Sequence, residues 1–237
     1  MTELLKVSGL VKRFGGLTAV NDVSLSVARG EMKCIIGPNG AGKSTFLNMI
    51  CGTLKPTEGH VWFEGKDITR LTLNAIAHLG IARKFQVPSV FERLTVRDNL
   101  EVARGGMRPS QKKGAMSVNE ILDLMSLSDI ANTHAGDIAH GQKQWLEIGM
   151  AMAINPKLLL LDEPTAGMTV EESLRTAELL KQAQSQFATI AIEHDMRFVR
   201  ALECNTAVLH QGRLIADGTF AEVEQDPMVR DVYLGRS

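Results

Sequence analysis

Two short stretches of this chain hold residues whose types and spacing could do chemistry on phosphate groups. Gly37-Pro38-Asn39-Gly40-Ala41-Gly42-Lys43-Ser44 fits G-x-x-x-x-G-K-[ST], the pattern of a phosphate-binding loop. Glycines there let backbone N–H groups close around an anion, and a following helix adds positive partial charge at its N-terminus. Lys43 then supplies a point charge for the phosphates and Ser44 a hydroxyl for Mg²⁺. At ordinary residue usage the four fixed positions coincide by chance in fewer than roughly 1 in 100 chains of this size. The second stretch, Leu158-Leu159-Leu160-Leu161-Asp162-Glu163-Pro164, sets two adjacent carboxylates at the end of an apolar run. Asp162 is suited to hold Mg²⁺ through water, and Glu163 to face an attacking water as general base or polarising group.

These groups can act together only if the fold brings them to one edge. Met32–Ile36 reads as an apolar strand before the loop, and Thr45–Ile50 as a helix after it, stopped by Gly52. Lys157–Leu161 reads as a strand buried on both faces of a parallel sheet. Ligands of open α/β sheets bind beyond the C-terminal ends of such strands, where both acids fall. Thr169–Gln186 reads as the next helix, with Glu171 and Glu172 at its positive end, and Ala188–Ile192 as the next apolar strand. Glu3–Val7, Val23–Val27 and Val61–Phe63 read as earlier strands, with Gly15-Gly16 and Asn21-Asp22 as turns. Ala207–Leu209 and Arg213–Ala216 flank Gln211-Gly212 as a hairpin. Val96–Ala103 and Val118–Leu127 read as helices around a basic, exposed loop from Arg104 to Ser117. Residues from Pro88 to about Ile154 thus form a helical insertion in an α/β core.

The chain has 237 residues, 44% of them apolar and 22% charged, with a net charge of -1. That composition is globular, and the balance gives no electrostatic case for a nucleic-acid partner. No apolar run approaches the roughly 18 residues that span a bilayer, and no secretory signal is expected at the N-terminus. Cys34, Cys51 and Cys204 have no metal-binding spacing and are expected to be reduced and buried.

In motif order and spacing the chain resembles the nucleotide-binding subunit of an ABC transporter. Phe14 sits where that family places an aromatic that stacks on adenine, and Asn39, Gly40, Ala41, Gly42, Lys43, Ser44 and Thr45 belong to the phosphate loop. Gln86, in Lys84-Phe85-Gln86, matches the glutamine that joins the core to the helical subdomain and senses Mg²⁺ and the attacking water. His194, in Glu193-His194-Asp195, matches the switch histidine that contacts the γ-phosphate. The resemblance implies ATP and Mg²⁺ as ligands, with Ser44, Gln86 and Asp162 at the metal and Glu163, His194 and Gln86 in catalysis. It also implies a single ABC ATPase domain over 1–237, an α/β P-loop NTPase fold. A mixed, largely parallel core sheet and an antiparallel β subdomain would occupy 1–87 and 155–237, and a helical subdomain 88–154.

Two segments depart from the family pattern. Where the family signature reads Leu-Ser-Gly-Gly-Gln, this chain has Ile138-Ala139-His140-Gly141-Gln142. Ala139, His140, Gly141 and Gln142 are then the residues expected to cap ATP bound to an opposite subunit. They lack the serine hydroxyl but keep the N–H groups of a helix expected over Gln142–Ala153. His140 reads either as a surface histidine or as a donor to the partner's nucleotide. Where the family usually has Ser-Ala-Leu-Asp, the chain has Thr165-Ala166-Gly167-Met168.

Both departures resemble the branched-chain amino-acid and amide import branch. The runs Arg83–Glu92, His140–Met150, Ala166–Met168 and Val232–Gly235 resemble the urea or short-chain amide importer most, branched-chain amino-acid import next, and lipopolysaccharide export third. The resemblance implies two ATPase subunits that sandwich two ATP molecules head to tail. A heterodimer with a second ATPase chain is expected, a homodimer remaining open for the isolated chain. Two membrane permease subunits and, indirectly, an extracytoplasmic binding protein would complete the assembly, with no nucleic acid. The subunit would lie on the cytoplasmic face of the inner (plasma) membrane as a peripheral protein. Val87, Val90 and Phe91 read equally as a permease-docking face or as local core. A GTPase would need an Asn-Lys-x-Asp motif, which is lacking. A DNA-repair ATPase would need long coiled-coil arms, and ribosome-acting relatives usually carry two cassettes.

Overall fold

The computed structural model describes residues 2–84, 90–107 and 111–234. The chain opens with a long antiparallel ribbon, β1 (Glu3–Phe14) and β2 (Leu17–Ala28). β3 (Met32–Ile36) leads through the glycine loop into α1 (Lys43–Ile50). Next come β4 (Glu58–Phe63), β5 (Lys66–Asp67), α2 (Leu73–Leu79) and β6 (Ile81–Lys84). Three helices follow, α3 (Val96–Gly105), α4 (Val118–Leu124) and α5 (His140–Ala153), before β7 (Leu158–Asp162). Then come α6 (Val170–Ala183), β8 (Ala188–Ile192), α7 (Met196–Leu202), β9 (Asn205–His210), β10 (Arg213–Thr219), α8 (Phe220–Gln225) and α9 (Pro227–Leu234).

The strands build two sheets. One is antiparallel, in the order β2-β1-β4-β5. The other runs β10-β9-β3-β8-β7-β6, parallel from β9 to β6 and closed by the antiparallel β9–β10 hairpin. This is the expected α/β architecture with a mixed core sheet and an antiparallel sheet. Leu158–Leu161 shows why β7 reads as a continuous apolar run. Leu158 and Leu160 join the core under the antiparallel sheet, whereas Leu159 and Leu161 join the core under the helices. Successive side chains of a strand point to opposite faces, so burial on both faces requires every position to be apolar.

Register places the chemistry. Ile35 of β3 lies opposite Ile192 of β8, and Ile192 lies opposite Asp162 of β7. The segments that follow these strands, Gly37–Gly42, Glu163 and Glu193, therefore leave the sheet side by side.

Several local expectations change. Asn21-Asp22 is a bulge within β2 rather than a turn: Leu10 pairs with Val23 and Lys12 with Val20, so two residues of β2 face one of β1. Asp22 takes the positive φ of 58° that the bulge needs, which aspartate tolerates. α5 starts at His140, two residues ahead of the expected position, and α4 stops at Leu124, before Ser126 at a φ of 55°. The basic loop starts later, because α3 runs to Gly105. The loop's far side is tied down where Asn155 Nδ2 donates to Gln111 O at 2.8 Å, while Lys112 and Lys113 are exposed. Among the described residues no helix is long and apolar enough to cross a membrane. All three cysteines are buried and free.

Candidate functional site

Gly42 caps α1 in a left-handed conformation, φ 99°, and a Cβ there would lie 2.3 Å from Ala19 O. Because the cap is glycine, no side chain accepts from the first-turn amides of α1, which are left for a ligand. α2, α3, α4, α6, α7 and α8 are instead capped by Thr72, Thr95, Ser117, Thr169, Asp195 and Thr219. α5 shares the uncapped state of α1. Its cap is Ala139, whose N–H donates to Gln142 Oε1 at 3.0 Å. Among the described residues, the two helices that begin without a side-chain acceptor are thus the two that sequence reasoning assigned to phosphates.

A cavity of about 370 Å³ opens over α1, lined by Phe14, Leu17, Ala19, Asn39, Gly40, Ala41, Gly42, Lys43, Ser44, Thr45 and Glu163. Phe14 is 45% exposed and Leu17 66% exposed, two large apolar side chains left in solvent at the rim of a polar cradle. Such a pair suits a flat base above and phosphates below. Lys43 is buried, and its Nζ donates to Gly37 O at 2.6 Å and Pro38 O at 3.1 Å. Burial pulls its ammonium below the ordinary lysine value, opposed by the carboxylates of Glu163, Asp162 and Glu193.

The acids have distinct surroundings. Asp162 is buried, and its Oδ2 accepts from Arg83 Nη2 at 2.8 Å, while Oδ1 has no hydrogen-bond partner among the described residues. An orphaned, buried carboxylate oxygen, close enough to Lys43 to act on its charge, fits a hydrated Mg²⁺, whose waters would satisfy it. Glu163 holds a φ of 49°, a strained left-handed position for a residue with a side chain. Its carboxylate lies 4.0 Å from His194 Nδ1. Glu193 is buried beneath them. It accepts from Thr165 N at 3.0 Å, Thr165 Oγ1 at 2.7 Å and its neighbour His194 N at 3.2 Å. Burial pushes its carboxyl above the ordinary glutamate value.

The structure therefore gathers Phe14, Asn39 to Thr45 and Glu163 around one cavity, with Asp162 at the end of β7 and His194 facing Glu163. Gln86 lies outside the described residues, as does Val87. Ala139, His140, Gly141 and Gln142 lie at the start of α5 and do not line this cavity. Here His140 Nε2 reaches Ala166 O at 3.1 Å. α5 is further anchored by a buried ion pair between Glu147 and Lys84 of β6, 3.2 Å. Trp145 packs against the helical core and donates to Thr176 Oγ1 at 2.9 Å. Of the two described apolar residues on the docking segment, Val90 packs on the core and Phe91 is exposed.

Sequence reasoning missed Arg83, Glu193 and the cavity residues Leu17 and Ala19. Arg83 carried a signal: a charge in a short strand that pairs with β7 places it opposite Leu160, within reach of Asp162. Glu193 follows the apolar strand Ala188–Ile192 much as Glu163 follows β7.

The sequence profile of the ABC transporter family matches residues 20–166, which carry the phosphate loop and both acids. The chain belongs to the ABC transporter ATP-binding family. The branched-chain amino-acid transport ATP-binding protein BraF of Pseudomonas aeruginosa is 36% identical over 99% of this chain and 98% of its own. The ADP conformation of the ATP-binding cassette MJ1267 superposes with a TM-score of 0.86 at 34% identity, covering both chains fully. A dimeric, post-hydrolysis state of the cassette MJ0796 bound to ADP and Pi gives 0.76 at 27% identity, over 91% of this chain and 98% of that one. As an ABC cassette the chain is an ATPase coupled to transport, of a family that binds ATP, typically with Mg²⁺. Cassettes of this family work as dimers with membrane permease subunits.

Proposed function

We propose that this ABC cassette energises import of branched-chain amino acids. The observation that carries this is its end-to-end likeness to BraF, described as a high-affinity branched-chain amino-acid transport protein, at 36% identity. Lipopolysaccharide export has weaker support, from the 32% identical LptB of Acidithiobacillus ferridurans. The urea or short-chain amide cargo expected from sequence motifs finds no support in these relatives, and the amino-acid reading takes its place.

In this reading Phe14 stacks on adenine, and Asn39 to Thr45 hold the phosphates with Lys43. Ser44, Gln86 and, through water, Asp162 would hold Mg²⁺, which when bound neutralises phosphate charge. Glu163 takes a proton from the attacking water, and His194 steadies the γ-phosphate. Ala139 to Gln142 cap the ATP of the opposite subunit, through the free amides of α5. The capping requires two chains, and a second ATPase subunit with two permeases and a binding protein is the expected assembly. It would sit peripherally on the cytoplasmic face of the membrane, with 88–154 as the helical subdomain and 1–87 plus 155–237 as the core.

Uptake by the assembled transporter in proteoliposomes tests the cargo. Labelled leucine should accumulate with internal ATP, and labelled urea should not. Urea uptake without leucine uptake would contradict the amino-acid reading and restore the amide one.

A further inference from the structure

The two segments that depart from the family pattern touch each other. His140, the first residue of α5, reaches the carbonyl oxygen of Ala166 at 3.1 Å through Nε2. Ala166 belongs to the turn that follows Glu163. That turn is drawn tight by Ala166 N donating to Glu163 O and Met168 N donating to Thr165 O, each at 3.1 Å. Gly167, next in the turn, has a φ of 76°, and a Cβ on it would lie 2.9 Å from the imidazole Nε2. A side chain at 167 would therefore be strained and would strike the ring. Histidine in the signature and glycine in the turn are one structural feature.

The chemistry of the contact fixes a proton. A carbonyl oxygen only accepts, so His140 Nε2 must carry hydrogen, in the neutral Nε2–H tautomer or the cation. The side-chain amide nitrogen of Gln144 also approaches Nε2, at 3.5 Å, a longer contact than the 3.1 Å to the carbonyl. The start of the turn is held separately, by Thr165, whose N–H and Oγ1 donate to Glu193.

We propose that His140 is a positioning residue that ties the signature end of α5 to the turn behind Glu163. The segment that caps the partner's ATP and the carboxylate that acts on this chain's own ATP then move as one unit. The hydrogen bond carries the coupling, and Gly167 makes room for it. This rests on the assignment of Ala139 to Gln142 as the capping segment and Glu163 as general base.

The test is ATP hydrolysis by the assembled, membrane-reconstituted transporter with His140→Phe, His140→Gln and Gly167→Ala. Phenylalanine keeps a ring without a donor, and glutamine restores a donor at the reach of Nε2. His140→Phe and Gly167→Ala should each lower kcat about tenfold, the order of one lost hydrogen bond, with KM for ATP moving less than about threefold. The double variant should be no worse than either single one, because both break one contact. His140→Gln should recover most of the loss. Wild-type kcat in His140→Phe, no rescue by glutamine, or additive losses would overturn the proposal. Long-range ¹H–¹⁵N spectra of the isolated wild-type chain supply a check independent of variant folding. A proton on Nε2 of His140 is expected, and an Nδ1–H tautomer would overturn it. If instead Glu163→Gln hydrolyses ATP at the wild-type rate, the underlying site assignment fails, whatever His140 does.

Discussion

Arg83 donates to Oδ2 of Asp162 at 2.8 Å from the neighbouring strand, and Oδ1 of the same carboxylate is buried with no hydrogen-bond partner among the described residues. Both side chains are nearly dry, 8% and 3% exposed. The guanidinium compensates the buried charge and fixes the carboxylate plane, and in the proposed chemistry the remaining oxygen is the one that would face a hydrated metal. Arg83→Gln should cost about 3–5 kcal/mol, the usual penalty for leaving a buried charge unpaired. It should also raise the Mg²⁺ concentration needed for half-maximal ATP hydrolysis, while Arg83→Lys restores part of both. Denaturant unfolding and Mg²⁺ titration of phosphate release measure the two effects. A destabilised Arg83→Gln with unchanged Mg²⁺ dependence would leave the arginine a purely structural role.

Phe14 stands exposed at the cavity rim, with Lys12 Nζ 5.1 Å from its ring centre. Its contact should be with the base and not with the phosphates. Phe14→Ala is expected to weaken ATP binding about tenfold, as loss of one base–aromatic stack does, and Phe14→Trp to preserve it. Inorganic tripolyphosphate should bind both variants as it binds the wild type. Calorimetric titration separates the ligands, and equal weakening of tripolyphosphate binding would place the effect in the loop.

Glu193 gives a pH signature. Burial raises its carboxyl above the ordinary value of 4.5, although Thr165 and His194 donate to it. As pH rises from 4.5 toward the raised folded value, the unfolded chain gives up this proton first. The unfolded state then binds fewer protons, and stability falls with rising pH. Glutamine does not titrate, so the stability difference, wild type minus Glu193→Gln, should fall across that window and level off above it. Chemical denaturation at a series of pH values measures it, and a difference that grows with pH contradicts the sign.

The parts of this molecule that were readable in sequence share one property: their local pattern and their tertiary role coincide. Leu158–Leu161 is apolar at every position because both faces are buried, so pattern and burial agree. Gly37 to Ser44 fixes both a backbone shape and a charge. α2 escaped notice because five of its seven residues are apolar, on more than one face, although only Ile76 is buried, so its pattern marks no single core face. Asn21-Asp22 has the composition of a turn, and only pairing with β1 makes it a bulge. Arg83 and Glu193 owe their positions at the site to strand neighbours far along the chain, β7 and the Thr165 turn. The link from His140 to Ala166 spans 26 residues and joins two departures that sequence reasoning treated apart.

Glu163 sits at the centre of the proposed chemistry: a strained backbone holds it at the cavity over the glycine loop, facing His194. Phosphate release by the assembled transporter, with bound nucleotide measured on the same sample, tests it most directly. Glu163→Gln should retain ATP and release phosphate at least about a hundredfold more slowly, the usual order for losing a general base. Hydrolysis at the wild-type rate would contradict the assignment of this carboxylate.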